Sequence, residues 1–89
     1  MNNLSAAKGY NKGEINLQWD SEENADSYII EIASVIRSNE AKWKILDIIS
    51  DSHYTVRNLK SNKNYMFRIA LADKKGKKET SPFISKKAP

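Results

Sequence analysis

The sequence predicts an all-β fold, a sandwich of seven antiparallel strands, on three observations. Apolar residues alternate with polar ones in short runs, and almost no stretch shows helical spacing. Turn-forming residues interrupt these runs at roughly eight- to twelve-residue intervals, the rhythm of a β-sandwich. The third observation is a pair of half-buried runs around Leu59 and Tyr65. Tyr54, Val56 and Leu59 precede a polar corner, and Tyr65, Phe67 and Ile69 follow it. A tyrosine opening the second run can sink its ring into a core while its hydroxyl bonds back to the upstream backbone.

The elements follow in order. Residues 4–7 form a short, weak first strand. Residues 8–13 form a turn in which Gly9, Asn11 and Gly13 can take positive φ. Along 14–19, Ile15, Leu17 and Trp19 point inward while Asn16 and Gln18 point outward. An acidic loop at 20–26 carries Asp20, Glu22, Glu23 and Asp26. In the third strand, 27–33, Tyr28, Ile30 and Ile32 share one face and Ile29, Glu31 and Ala33 the other. A helix over 28–35 is the minority alternative, because its β-branched isoleucines disfavour it.

Residues 37–41 break the pattern, and 42–49 resume it with a blurred alternation, so the register of this fourth strand is the least defined. Strands at 53–56 and 64–72 follow the turn at 50–52. A hairpin tip at 73–78 contains Gly76. The last strand, 79–86, is entered through Ser81 and Pro82, and a residue without an amide donor suits an edge or a bulge. Ala88 and Pro89 resemble the start of a linker.

The chain of 89 residues suffices for one domain and one core. It has no cysteine, which rules out disulfide staples and thiolate metal sites and leaves the redox compartment open. No apolar run has the length of a membrane span. No apolar stretch of a secretory signal follows Met1. Both ends read as domain edges, so a segment cut from a longer multidomain protein is expected rather than a complete cytoplasmic one. The richness in Lys, Asn and Ile matches the codon bias of an AT-rich, bacterial genome.

The net charge of +4 is unevenly spread. Residues 1–50 hold five Lys/Arg against eight Asp/Glu, and residues 51–89 hold ten against three. Lys74, Lys75, Lys77 and Lys78 concentrate positive charge at the hairpin tip and raise the question of an anionic partner. A solvated hairpin is the favoured reading, and nucleic acid is not expected, because no aromatic platform interleaves with the lysines. The acidic loop lacks the spacing and the central glycine of a calcium-binding loop, so it is read as solvated. His53 is the single histidine, and its neighbours Asp51 and Ser52 point in different directions on a turn. Without a nucleophile elbow they do not make a triad. No residue is therefore assigned a catalytic, cofactor-binding or metal-binding role, and no cofactor is expected.

The residues together resemble a known family. Ile15, Leu17 and Trp19, then Ala25, Tyr28, Ile30 and Ile32, then Tyr54, Val56 and Leu59, then Tyr65, Phe67, Arg68 and Ile69, then Gly76, Ser81 and Pro82, look like a fibronectin type III domain. The resemblance runs from about Leu4 to Pro89, and a single domain over residues 1–89 with a core of about 4–87 is expected. It implies strands A, B and E in one sheet and C, C′, F and G in the other. Trp19 and Tyr65 would be buried, with Leu59 beside the tyrosine corner. In this topology the acidic B–C loop and the lysine-rich F–G tip share a pole and largely neutralise each other. Two departures bear on the edge strands: no proline opens strand A, and Ser85 replaces a valine-like residue. The Cys…Trp…Cys pattern of a true immunoglobulin domain is absent, as is the Arg-Gly-Asp tripeptide of some adhesive relatives.

The resemblance implies a non-catalytic module, a spacer or docking domain in a larger extracellular or surface protein, with a secreted polysaccharide-degrading enzyme as one setting. Neighbouring domains of the same polypeptide are the expected partners; no membrane insertion is expected, and the chain should be a monomer. The alternative is a module binding a protein or polysaccharide through the B–C/F–G pole or the Trp43 edge. For Trp43, packing along that edge is the favoured reading. On the open face, alternation places Glu31 opposite Arg68 as a cross-strand pair, worth a few tenths of a kcal/mol if exposed. Ile29, Met66 and Ala70 would form a small apolar patch there for contact with a neighbouring domain.

Overall fold

The computed structural model describes residues 3–23, 25–34, 42–73 and 78–89. These form eight strand segments: β1 (Ser5–Lys8), β2 (Ile15–Gln18), β3 (Ala25–Ser34), β4 (Lys44–Ile49), β5 (His53–Val56), β6 (Asn64–Asp73), β7 (Lys78–Thr80) and β8 (Ile84–Lys87). One sheet has the order β1-β2-β5 and the other β4-β3-β6-β7, with β8 also pairing β6. All pairings are antiparallel. Among the described residues there is no helix, and 28–34 lie in β3 as isoleucine branching requires.

The expected sheets are present: β1, β2 and β5 are strands A, B and E, and β3, β4 and β6 are C, C′ and F. The count differs by one because strand G is split. Ser81, Pro82 and Phe83 separate β7 from β8, although both segments pair the same partner. Pro82 has no amide to give the ladder. Ser81 compensates beside it: its amide donates to the Ile69 carbonyl (2.8 Å) and its hydroxyl accepts from the Ile69 amide (2.9 Å). The side chain takes over the acceptor role that a continuing strand backbone would have filled.

The blurred alternation of the fourth strand has a structural cause. Ile30 pairs Asp47, but Glu31 pairs Ile45, so Leu46 is an extra residue opposite no partner. The bulge lets Leu46 pack against the core while Ile45 and Ile48 face solvent.

Between the sheets lies the core, and its largest fully buried side chains are Phe67, Ile15, Leu17, Ile30 and Ile69. Trp19 lies one residue beyond β2 and is buried against Tyr28 in an edge-on contact, with ring centroids 5.5 Å apart. Its indole N–H has no partner among the described residues, an uncommon cost for a buried donor. Tyr65, Phe67, Ile69 and Leu71 alternate inward along β6 as the period of two dictates.

Two tyrosines tie loops to this core. The Tyr65 hydroxyl accepts the Lys60 amide at 3.0 Å, which is the expected corner between β5 and β6. The Tyr28 hydroxyl accepts the Glu22 amide at 2.8 Å and does the same for the acidic loop. The sequence reading missed this second tie. Its signal was a tyrosine on the inward face just after a polar loop, the same grammar as Tyr65.

Gly13 joins three segments. Its carbonyl accepts the Leu59 amide (3.0 Å) and its amide donates to the Pro89 carbonyl (2.9 Å). Its φ is +76°, and a Cβ there would lie 2.5 Å from the Leu59 carbonyl oxygen. The C-terminal residues are further held by Ala88 to Lys63 and Asn62 to Ala88 backbone bonds. Ala88 is buried, so residues 88–89 belong to the domain and are not a free linker.

Replacing Tyr65 with Phe keeps the ring and strands the Lys60 amide, so chemical denaturation should show a loss of about 1–2 kcal/mol. Gly13→Ala combines a strained φ with a backbone clash and should cost more than about 1 kcal/mol in the same assay.

Candidate functional site

The outer face of the larger sheet carries the most elaborate side-chain arrangement outside the core. Cross-strand registry places Glu31 opposite both Arg68 and Ile45, and Ile29 opposite both Ala70 and Ile48. Arg68 Nε donates to Glu31 Oε2 at 2.6 Å. The guanidinium also lies over the Trp43 ring, 4.1 Å from its centroid, and Trp43 in turn meets Phe83 at 6.3 Å. Phe83 occupies the break between β7 and β8, so the interruption of strand G delivers this ring to the outer face.

The expected cross-strand pair forms, with its carboxylate buried. The Glu31 side chain retains only 8% of its accessible surface and that of Arg68 31%. Trp43 supplies an aromatic plane for the cation, and the cation in turn holds the carboxylate. The alternation of β3 and β6 fixes which residues face outward, but not that a tryptophan just before β4 would fold over them.

The apolar patch expected from Ile29, Met66 and Ala70 is also rearranged. Ala70 is fully buried, and Ile29 and Met66 are half-buried. The large apolar side chains left open there are Ile45, Ile48 and Phe83. Ser85 pairs Met66 on this same exposed surface, so its departure from a valine-like residue leaves the core intact.

The remaining sequence candidates fall at the poles. His53 is exposed and pairs Gln18, while the Ser52 carbonyl accepts the Trp19 amide. Asp20 accepts the Asn3 side-chain amide at 2.8 Å. Among the described residues no group of His, Cys, Asp or Glu is placed to hold a metal ion. Residues 74–77 of the lysine-rich tip, with Gly76, and Asn24 of the acidic loop lie outside the described residues. No helix is long and apolar enough to cross a membrane among the described residues.

A concavity lies between the sheets, where the β4 end approaches the corner after β5. It has a volume of about 330 Å³ and a floor from Ile32, Leu46 and Leu59, with Lys42, Lys44 and Arg57 along its sides. Arg57 is also 3.4 Å from Glu14. Hydrogen bonds from Asn11 hold the Glu14 carboxyl below the usual carboxylate range, with a smaller contribution from Arg57. Farther along the same edge, burial and then the charge of Asp47 push the Tyr54 phenol above its usual value.

Two antiparallel sheets closed over Trp19, with a tyrosine corner between β5 and β6, define an immunoglobulin-like sandwich module. The chain belongs to the fibronectin type III domain family, which matches residues 2–87. Among solved structures, a Fn3-like protein from Clostridium thermocellum superposes with a TM-score of 0.78 at 18% identity, covering 93% of this chain and 84% of that one. The FN5 domain of Drosophila Lar gives 0.74 at 20% identity, over 98% and 91%. The human E3 ubiquitin-protein ligase TRIM36 is 28% identical over 67 residues, which is 75% of this chain and 9% of the ligase. The chain thus spans a small fraction of that relative, as a module of a larger protein does.

Replacing Glu31 with Ala leaves the Arg68 guanidinium half-covered beneath Trp43 without its carboxylate. Thermal and chemical denaturation should register a loss of about 1–3 kcal/mol, above the few tenths of a fully exposed pair.

Proposed function

We propose that this domain is a non-catalytic spacer and docking module that holds its neighbours at a fixed separation. The observation that carries the reading is the placement of its two ends. Asn3 bonds to Asp20 at the pole of the acidic loop. The Pro89 carbonyl accepts from Gly13 and Ser61 at the opposite pole, beside the β5–β6 corner. The chain therefore enters at one pole and leaves at the other, anchored at both, through a body whose longest dimension is 39 Å. A neighbour attached at residue 89 inherits an orientation from the clamped residues 88–89.

The same reading sets the domain in a larger extracellular or surface protein, with a bacterial polysaccharide-degrading enzyme as the specific parent. The residue bias and the setting implied by the family resemblance support that placement. A genomic reading frame carrying a secretion signal and a glycosidase-like region supports it; one with neither removes it.

The spacer role is tested by placing the chain between two folded, spin-labelled reporter domains. A narrow distance distribution is expected, comparable to that of a rigid rod. A distribution as broad as that given by a glycine-serine linker of equal span would refute the role. Sedimentation of the isolated domain should give a monomer.

A further inference from the structure

We propose that the groove between the β4 edge and the β5–β6 corner docks an acidic peptide in extended conformation. This goes beyond the spacer reading and does not depend on it. The first support is charge. Lys42, Lys44 and Arg57 surround the groove, and no carboxylate lines it among the described residues. Lys42 and Lys44 are two residues apart, the repeat at which an extended peptide presents successive side chains on one face.

The second support is the backbone on either side. Among the described residues β4 pairs with β3 alone and β5 with β2 alone, so each is the outer strand of its sheet. Strand addition to such an edge supplies main-chain hydrogen bonds, and pockets for alternate side chains supply specificity. The Ile48 amide is already taken by the Asp47 carboxylate at 2.8 Å. That bond closes the edge at its far end and leaves the Lys44 end, beside the groove, for pairing.

The third support is the position of Lys44. It pairs Ile32, an inward-facing residue, so the lysine turns toward the gap between the sheets. An inward-pointing lysine on an edge strand disfavours apolar strands, which would bury its charge, and repels basic ones, including a second copy of the same edge. An acidic strand alone would be met by attraction. The floor of Ile32, Leu46 and Leu59 then accommodates apolar residues alternating with the acidic ones. A sugar acid is less well served, because Trp43 stacks with Arg68 and Phe83 on the outer face and is not part of the groove lining.

The test is a titration of the isotope-labelled domain with a blocked peptide alternating glutamate and valine. Saturable amide shifts are expected at Lys42, Lys44, Leu46, Arg57 and Leu59, with slowed hydrogen exchange along β4. Affinity should fall steeply with salt. The double variant Lys42→Glu, Lys44→Glu should bind roughly tenfold more weakly, while Lys8→Glu, on the far sheet edge, should bind as the parent does. Both variants change exposed side chains, and matching thermal melts would confirm that they fold. Absence of saturable shifts overturns the proposal. So does equal binding of a peptide with glutamine in place of glutamate. Shifts in this groove from a sulfated oligosaccharide, with none from the peptide, would overturn it in favour of a polysaccharide. None of these outcomes bears on the reporter-distance measurement, so the two readings fail separately.

Discussion

The bond between the Tyr65 hydroxyl and the Lys60 amide is the constraint on which the sandwich depends. β5 belongs to one sheet and β6 to the other, so the corner between them is where the chain changes layers. A crossing of this kind exposes backbone donors at the boundary of the core, where an unmet donor costs more than in water. One phenol satisfies such a donor and also fills the space beneath it. The corner then becomes a platform: Leu59 bonds Gly13, Gly13 bonds Pro89, and Asn62 and Lys63 hold Ala88. Turn, corner and C-terminal residues are thereby held in one network.

The opposite pole repeats the device with Tyr28 and Glu22. Each long strand of the larger sheet thus contributes one tyrosine, near its own start, that reaches back over the preceding loop. Neither ring is spent on the outer face, which is organised differently. There a charged pair, an aromatic ring over the cation and a second ring from the broken strand G form a layer of their own. Desolvation of a carboxylate is costly, and the short contact to Arg68 together with the Trp43 plane offsets it.

The alternation of apolar residues made the two sheets, the inward set and the tyrosine corner legible in the sequence, because a period of two and a turn chemistry each leave a local trace. Four features were not legible. The bulge at Leu46 requires knowing that β3 is continuous while β4 has a residue too many. The split of strand G was signalled by Pro82, yet the delivery of Phe83 to Trp43 is a meeting of residues forty positions apart in a shared layer. The burial of Glu31, which bonds Arg68 in the same layer, likewise leaves no local trace. The cationic groove was missed for a similar reason: two strands and a turn separate Lys42 and Lys44 from the corner residue Arg57, and their convergence is a property of the gap between the sheets.

Anchorage at opposed poles has a mechanical consequence. Traction on residues 3 and 89 would run lengthwise along β1 against β2 and along β8 against β6. Antiparallel backbone bonds lie across the strands, perpendicular to such a pull. They would resist together, as rivets in a lap joint do, instead of opening one after another like a zip. The clasp of Pro89 onto Gly13 and Ser61 would take the first of that load at its end of the molecule.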